Sequence, residues 1–318
     1  MQKVKSKRLA SAIPCLKAWR KSIRKHWQLY LLLIPVLASF IIFNYIPMAG
    51  IQIAFKDFTL KDGIWGSEWI GFYHFERFFT GYKFMTILKN TLLLSVTHMI
   101  FTFPFPIIFA LALNELRNAR AKSMVQTITF APHFISTVVI VGMMTAFLQP
   151  DTGIINIALT NLGVLDADTY VSRLPQFFRP LYIMSSIWTN MGWSSIIYIS
   201  AISAIDPQLY EATEIDGAGR FKQVWHVTLP GIRPVIITLL ILNFGSIMSV
   251  GFEKVYLMQT SINMDVSEVI STYVYERGIT ARQFDFATAV GLFNSIINLI
   301  MIVIVNKIAK KVSEVSLW

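Results

Sequence analysis

The sequence predicts an all-α membrane protein of six transmembrane helices, with the N- and C-termini both in the cytoplasm. Three observations carry this. Of the 318 residues, 54% are hydrophobic and only 14% charged, where a soluble globular chain carries about 25% charged residues. The charges cluster: residues 27–55, 90–114, 123–150, 180–205, 234–252 and 286–306 contain no Asp, Glu, Lys or Arg. Each gap can hold the roughly 20 apolar residues that cross a hydrocarbon core about 30 Å thick. The basic residues are also unevenly divided among the links, which sets the orientation.

The chain is read in order as a basic cytoplasmic segment, residues 1–26, followed by a transmembrane domain, residues 27–318. Residues 1–25 hold nine Lys and Arg and no acid, so they are expected inside, against anionic lipid. The first span, 28–51, is longer than a signal-peptide core, and no small-x-small cleavage site follows closely; it is read as uncleaved. The link after it carries Trp65, Trp69, Phe72, Tyr73, Phe75, Phe78 and Phe79, expected as anchors at the lipid interface or as contacts to a partner. The remaining spans are expected at 90–113, 123–149, 180–205, 234–252 and 286–306. Summed over the segments this places inside, there are 18 basic and 6 acidic residues, against 10 and 12 outside. The net charge of +10 is therefore a topology signal and no evidence for nucleic acid. Pro35, Pro47, Pro104 and Pro106 interrupt apolar runs and free backbone carbonyls there. The single Cys15 can form no internal disulfide and no metal site of its own.

Several chemistries are excluded. There is no G-x-x-x-x-G-K-[ST] loop to cradle ATP phosphates, and no CxxC or HExxH metal motif. The spans lack the Asp, Glu, Lys and Arg that ion-coupled carriers generally place along their path. His98 and His133 are the titratable candidates in or beside a span, and the plain reading of each is a hydrogen-bonded packing residue. No nucleophile and base stand as a pair, so no catalytic residue, metal ligand or cofactor is assigned.

Residues 206–233 break the apolar pattern. Asp206, Glu211, Glu214, Asp216, Arg220 and Lys222 together would cost roughly 15–20 kcal/mol to insert, so the segment is expected outside the bilayer, on the cytoplasmic side. Asp206-Pro207 is a helix start. Gly217 and Gly219 permit a tight turn. Phe221, Val224 and Trp225 then recur at i, i+3, i+4, giving a second helix an apolar ridge. Leu229-Pro230 is expected to end that helix, because proline pushes the preceding residue out of the helical region. The product is a helix-turn-helix elbow whose exposed ridge suits a protein partner; the alternative is an amphipathic linker lying on the membrane.

This stretch resembles the EAA loop of ABC-importer permeases, patterned Glu-Ala-Ala, three residues, Gly, nine residues, Ile-x-Leu-Pro. Glu211, Ala212, Gly217, Leu229 and Pro230 stand at the matching positions, while Thr213 replaces the second Ala and Val227 the Ile. Elsewhere IPMAGIQIAFKDF (46–58), WIGFYHF (69–75), LKNTLLLS (88–95) and LQPDTGIIN (148–156) look like the branch that takes up oligosaccharides from polysaccharide breakdown. The resemblance implies a type I ABC importer permease fold in the bacterial inner membrane. It further implies a second homologous permease subunit, two cytoplasmic ATPase subunits and an extracellular or periplasmic solute-binding protein. The elbow would be the coupling helix, with Glu211, Ala212, Glu214, Asp216, Gly217, Phe221, Val224, Trp225, Leu229 and Pro230 meeting or shaping the ATPase contact. The alternative is a secondary carrier or facilitator for a neutral polar solute.

In such permeases the sugar lies near the midplane, on the spans flanking the loop. Trp188, Gly192 and Ser195 share a face at i, i+4, i+7, with glycine leaving room beside the ring. Asn243 is expected near the same depth. These four are favoured as the substrate pathway over Asn190 and Trp193.

Overall fold

The computed structural model describes residues 25–166, 168–313 and 316–317. Most of the basic N-terminal segment, including Cys15, lies outside the described residues. The chain divides into two units, Met1–Ile70 and Gly71–Trp318, described in turn.

The first unit is a long helix, Trp27–Phe55, followed by a short hairpin. Within the helix, Ile41–Tyr45 form a π turn, and Ala49–Phe55 tighten to 3-10 geometry. The π turn lies just before Pro47, which has no amide hydrogen to donate. None of the helix's most apolar window is buried inside the protein. A helix that is hydrophobic all round and so exposed finds its burial in lipid or in another chain. The hairpin pairs β1, Lys56–Asp57, antiparallel with β2, Glu68–Trp69. The Lys56 ammonium donates to the Ile64 carbonyl at 2.7 Å and lies 5.1 Å from the Trp69 ring centre. Trp65 and Trp69 are exposed.

The regular structure of the second unit's described residues is all helical. Among its helices are α1 (Tyr73–Phe79), α2 (Phe84–Thr102), α3 (Pro104–Asn114), α4 (Ala119–Phe130), α5 (Thr137–Phe147), α6 (Ile154–Asn161), α7 (Pro175–Ser203), α8 (Pro207–Ile215), α9 (Arg220–Gln223), α10 (Leu229–Phe244), α11 (Phe252–Met258), α12 (Ile270–Tyr275) and α13 (Phe284–Ser313). Among the described residues of the whole chain, four helices are long and apolar enough to cross a membrane: Trp27–Phe55, Phe84–Asn114, Arg220–Phe244 and Phe284–Ser313. A fifth arises if Ala119–Phe134 and Thr137–Phe147, bent by 99°, form one span. Helix α7 has 29 residues, about 43 Å, which is long enough to cross. Its Ser, Thr and Asn residues dilute its hydropathy and keep it out of that set.

The helices at the other expected spans differ from them by a few residues at their ends, but two spans take a different course. The span expected at 234–252 starts earlier and stops earlier. It runs unbroken from Arg220 to Phe244, and the expected stop at Leu229-Pro230 does not occur. Val224–Thr228 adopt a π turn directly before Pro230, where the shifted hydrogen-bond register absorbs the missing donor and the ring's clash with the preceding turn. Beyond Phe244 the helix opens over 245–251, a stretch rich in Gly and Ser. The freed backbone is met from α13: the Met248 amide donates to Asn298 Oδ1 at 2.9 Å, and Asn298 Nδ2 donates to Ser249 Oγ at 2.9 Å. The expected span 123–149 is likewise interrupted, with a sharp bend between Phe134 and Thr137. There Ser136 caps the second helix by accepting from the Val139 amide.

Three apolar clusters hold the unit. Leu94, Val141, Tyr182, Val255 and Val269 join α2, α5, α7 and α11. Phe78, Ile87, Met248, Tyr273, Phe286 and Val290 fill a second cluster. Its rings meet edge to face, as Phe78 does with Phe84 at 5.0 Å, a geometry the ring quadrupole favours. Phe78, expected at an interface, is thus a core residue 3% exposed, whereas Phe72 is 73% exposed. Ile107, Ala110, Tyr198, Ile202 and Ile232 lock α3, α7 and α10 together. A polar strap joins distant segments: Lys83 pairs with Glu268 at 2.8 Å, and Asn90 Nδ2 donates to the carbonyls of Asp265 and Glu268. Burial opposes the charge on Lys83, but its hydrogen bond to Glu268 and that residue's charge together hold the ammonium above its ordinary pKa.

Candidate functional site

Two features stand out, a cavity and an elbow, and one helix reaches both.

The cavity, about 560 Å³, lies between α2, α3, α7 and α10. That volume suits a small-molecule site. Its wall combines aromatic surface from Trp193 and Tyr198 with polar groups from His98, Ser186, Asn190 and Asn243. Among the described residues, no Asp or Glu lines it. Sugar-like ligands offer apolar faces for rings to stack on and hydroxyls that pair with such groups, so the lining is chemically apt. Helix α7 supplies most of the polar wall because its serines and threonines return their hydroxyls to their own backbone. Ser186 Oγ donates to the Tyr182 carbonyl at 2.8 Å and Thr189 Oγ1 to that of Ser185 at 2.9 Å. Asn190 Nδ2 donates to the Ser186 carbonyl at 3.1 Å, and Asn243 Nδ2 to that of Leu239 at 2.8 Å. Trp193 is held in place by His133, whose ring stacks on it at 4.5 Å and 5°.

The face of α7 that fronts the cavity differs from the expected one. Asn190 and Trp193 line it together with Asn243, whereas Trp188, Gly192 and Ser195 do not. Gly192 is a point of helix contact: a Cβ there would sit 2.3 Å from the Thr129 carbonyl oxygen on α4. Ser195 is fully buried and donates to the Gly192 carbonyl. Trp188 is 47% exposed, off the cavity. The small residue read as space for a ligand is filled by a neighbouring backbone. His98 and Ser186 were missed as lining residues, because nothing in a single sequence fixes the rotation of one helix against three others.

A smaller cavity of about 120 Å³ shares His98 and Asn243 with the first and extends to the opened backbone at 246–251. Irregular backbone at membrane depth is tolerated where it lines such a space.

The elbow forms as a helix, a tight turn and a second helix, the last running on past the expected stop. Asp206 caps α8 by accepting from the Gln208 amide at 2.9 Å. The helix ends in a Schellman turn: the Ala218 amide donates to Thr213 O at 2.9 Å, the Gly217 amide to Glu214 O at 3.0 Å, and Gly217 has φ +73°. Helix α9 follows and continues through the π turn into α10. Tyr210 and Thr228 hydroxyls meet at 3.0 Å and tie the two limbs together. The tip is bare: Ile215 is 87% exposed, Phe221 82% and Trp225 60%. Glu211, Ala212, Glu214, Asp216 and Pro230 are exposed beside it, with Val224 and Leu229 half-buried. From Phe221 to Asn243 is one unbroken helix, roughly 33 Å long at 1.5 Å per residue. The bare tip and the cavity wall therefore share a single element.

Residues 102–314 match the family model described as the binding-protein-dependent transport system inner membrane component. The chain belongs to this family. It is a multi-pass permease of the bacterial inner membrane, with an all-α fold. Over its full length it is 43% identical to "Protein LplB" of Bacillus subtilis (strain 168), also matched over its full length. It is 46% identical, over 91% of this chain and 90% of the relative, to the polygalacturonan/rhamnogalacturonan transport system permease protein YteP of the same organism. Among solved structures, it superposes with a TM-score of 0.84 on a bacterial ABC transporter involved in the import of the acidic polysaccharide alginate. Sequence identity there is 40%, over 92% of this chain and 98% of that one. A second structure of the bacterial alginate ABC transporter, in complex with an alginate pentasaccharide-bound periplasmic protein, gives 0.85 at 39% identity, over 93% and 99%.

Proposed function

We propose that this permease is one transmembrane subunit of an ATP-driven importer for oligosaccharides released from acidic polysaccharides. It works beside a second, homologous permease subunit, above two cytoplasmic ATPase subunits, and receives its sugar from a solute-binding protein. The observation that carries this reading is the helix Arg220–Phe244, with a bare apolar tip at one end and a wall of the cavity at the other. The elbow seats in a groove of the ATPase, and Glu211, Gly217 and the Phe221–Val224–Trp225 ridge form the contact. Closure of the ATPase dimer on ATP moves the two permease elbows together, and the helix carries that motion to the cavity.

The substrate class rests on the similarity to transporters named for alginate and polygalacturonan/rhamnogalacturonan and on the ring-and-amide lining of the cavity. Asn190, Trp193 and Asn243 are the proposed sugar contacts of this subunit. Six spans with both termini inside remain the proposed topology, supported by the basic-residue asymmetry. The domain division at residue 27 belongs to the same proposal. The chain performs no covalent chemistry; ATP is hydrolysed on the separate subunits. The test is uptake by the reconstituted importer of defined uronate oligosaccharides. ATP-dependent accumulation that is lost when the ATPase subunits are left out supports the assignment. Accumulation driven by an ion gradient without ATP would overturn it in favour of a secondary carrier.

A further inference from the structure

One cation stands beside the cavity system without a carboxylate. Lys254, on α11, extends its ammonium to α7, donating to Ser186 Oγ at 2.7 Å and to the Tyr182 carbonyl at 3.0 Å. The ammonium also lies 4.7 Å from the Tyr182 ring centre. Ser186 lines the larger cavity and Tyr182 the smaller, so the charge sits behind the wall where the two spaces meet. Among the described residues, no carboxylate comes within 4.0 Å of it, and no Asp or Glu lines either cavity. A charge drawn out of bulk water is costly unless something compensates it, and the half-buried Lys254 ammonium meets a hydroxyl, a carbonyl and a ring, all neutral. A second observation points into the same space. Ser95 lines the smaller cavity, is only 7% exposed, and its Oγ has no hydrogen-bond partner among the described residues. Buried hydroxyls are ordinarily paired, so an unused hydroxyl stands on this wall and a cation held only by neutral groups stands behind it.

We propose that Lys254 is a specificity-determining residue that biases the cavity toward carboxylate-bearing sugars, with Ser95 offering a hydrogen bond on the same side. This rests on the oligosaccharide reading above and extends it to a single residue. At short range and reduced dielectric, one ammonium attracts a carboxylate strongly enough to decide between otherwise similar ligands. A neutral sugar gains nothing comparable from it.

The test uses the complete importer in proteoliposomes and two probes: a uronate oligosaccharide, and the same compound with its carboxyls reduced to alcohols. The solute-binding protein is common to all reactions, so its own preference cancels in each variant-to-unsubstituted ratio. K254M should lower uronate uptake at least about tenfold while changing uptake of the reduced compound less than about twofold, and K254R should restore uronate uptake. Equal loss of both compounds would make Lys254 a packing residue and overturn the proposal, as would unchanged uptake of both. Should K254M fail to assemble with its partners, K254Q, which keeps donors for the Tyr182 carbonyl, gives the same reading. Failure of the unsubstituted importer to take up either compound would overturn the oligosaccharide reading itself, and the charge assignment with it.

Discussion

Gly192 lets α7 meet the backbone of α4 directly. Its lack of a side chain is used, but by the Thr129 carbonyl rather than by a ligand. Backbone cannot step aside as a flexible side chain can. Gly192→Val is expected to cost about 1–3 kcal/mol or more in overpacking, and should show as reduced yield and thermal stability of the purified complex. Trp188→Ala should leave uptake near its normal level, because that ring faces away from the cavity. Asn190→Ala and Trp193→Ala should each lower uptake, with assembly and basal ATPase activity retained. Uptake assays on the three variants separate the two faces of the helix. Unchanged uptake in both Asn190→Ala and Trp193→Ala would move the sugar contacts to the partner subunit. The sequence held the right inventory of Trp, Asn and Ser. It could not supply the helix's rotation, which depends on three neighbours distant in sequence.

Among the elements, the elbow was the most legible. Its signals are local: Asp206-Pro207 at the start, glycine at the one position with φ +73°, and apolar residues at helical spacing after the turn. Each acts over one or two turns of chain, so no distant contact is needed to read it. The stop expected at Pro230 failed because proline's penalty can be absorbed by a π turn, which leaves no trace in composition. The break at 245–251 was invisible for a related reason: the groups that satisfy it come from Asn298, about fifty residues away. Two predictions belong here. Gly217→Val forces a β-branched residue into the left-handed region, at a cost of about 1–2 kcal/mol, and should release the ATPase or uncouple it, as read by co-purification and by uptake. Tyr210→Phe removes the tie to Thr228, worth about 1 kcal/mol. It should raise ATP consumed per sugar imported while the ATPase stays bound.

For the whole molecule, the membrane class, the helical fold and the family follow from the sequence's hydropathy and the spacing of one motif. The number of spans is less direct, since a helix such as Pro175–Ser203 carries enough polar residues to blur its signal, and a bend of 99° divides another. Topology is testable on a cysteine-free background made by Cys15→Ser. A cysteine placed by D62C should react with an impermeant thiol reagent in intact cells, and one placed by K222C only after permeabilisation. The reverse pattern would invert the orientation and remove the elbow from the ATPase.

Transmission of the ATPase's motion to the cavity is proposed to run through the helix Arg220–Phe244. It is tested most directly by the thiol reactivity of N243C in the assembled, cysteine-free importer, with and without ATP. ATP should change the labelling rate several-fold, and adding Gly217→Val at the far end of the elbow should abolish this change. A labelling rate that responds to ATP equally in both proteins, or in neither, would contradict it.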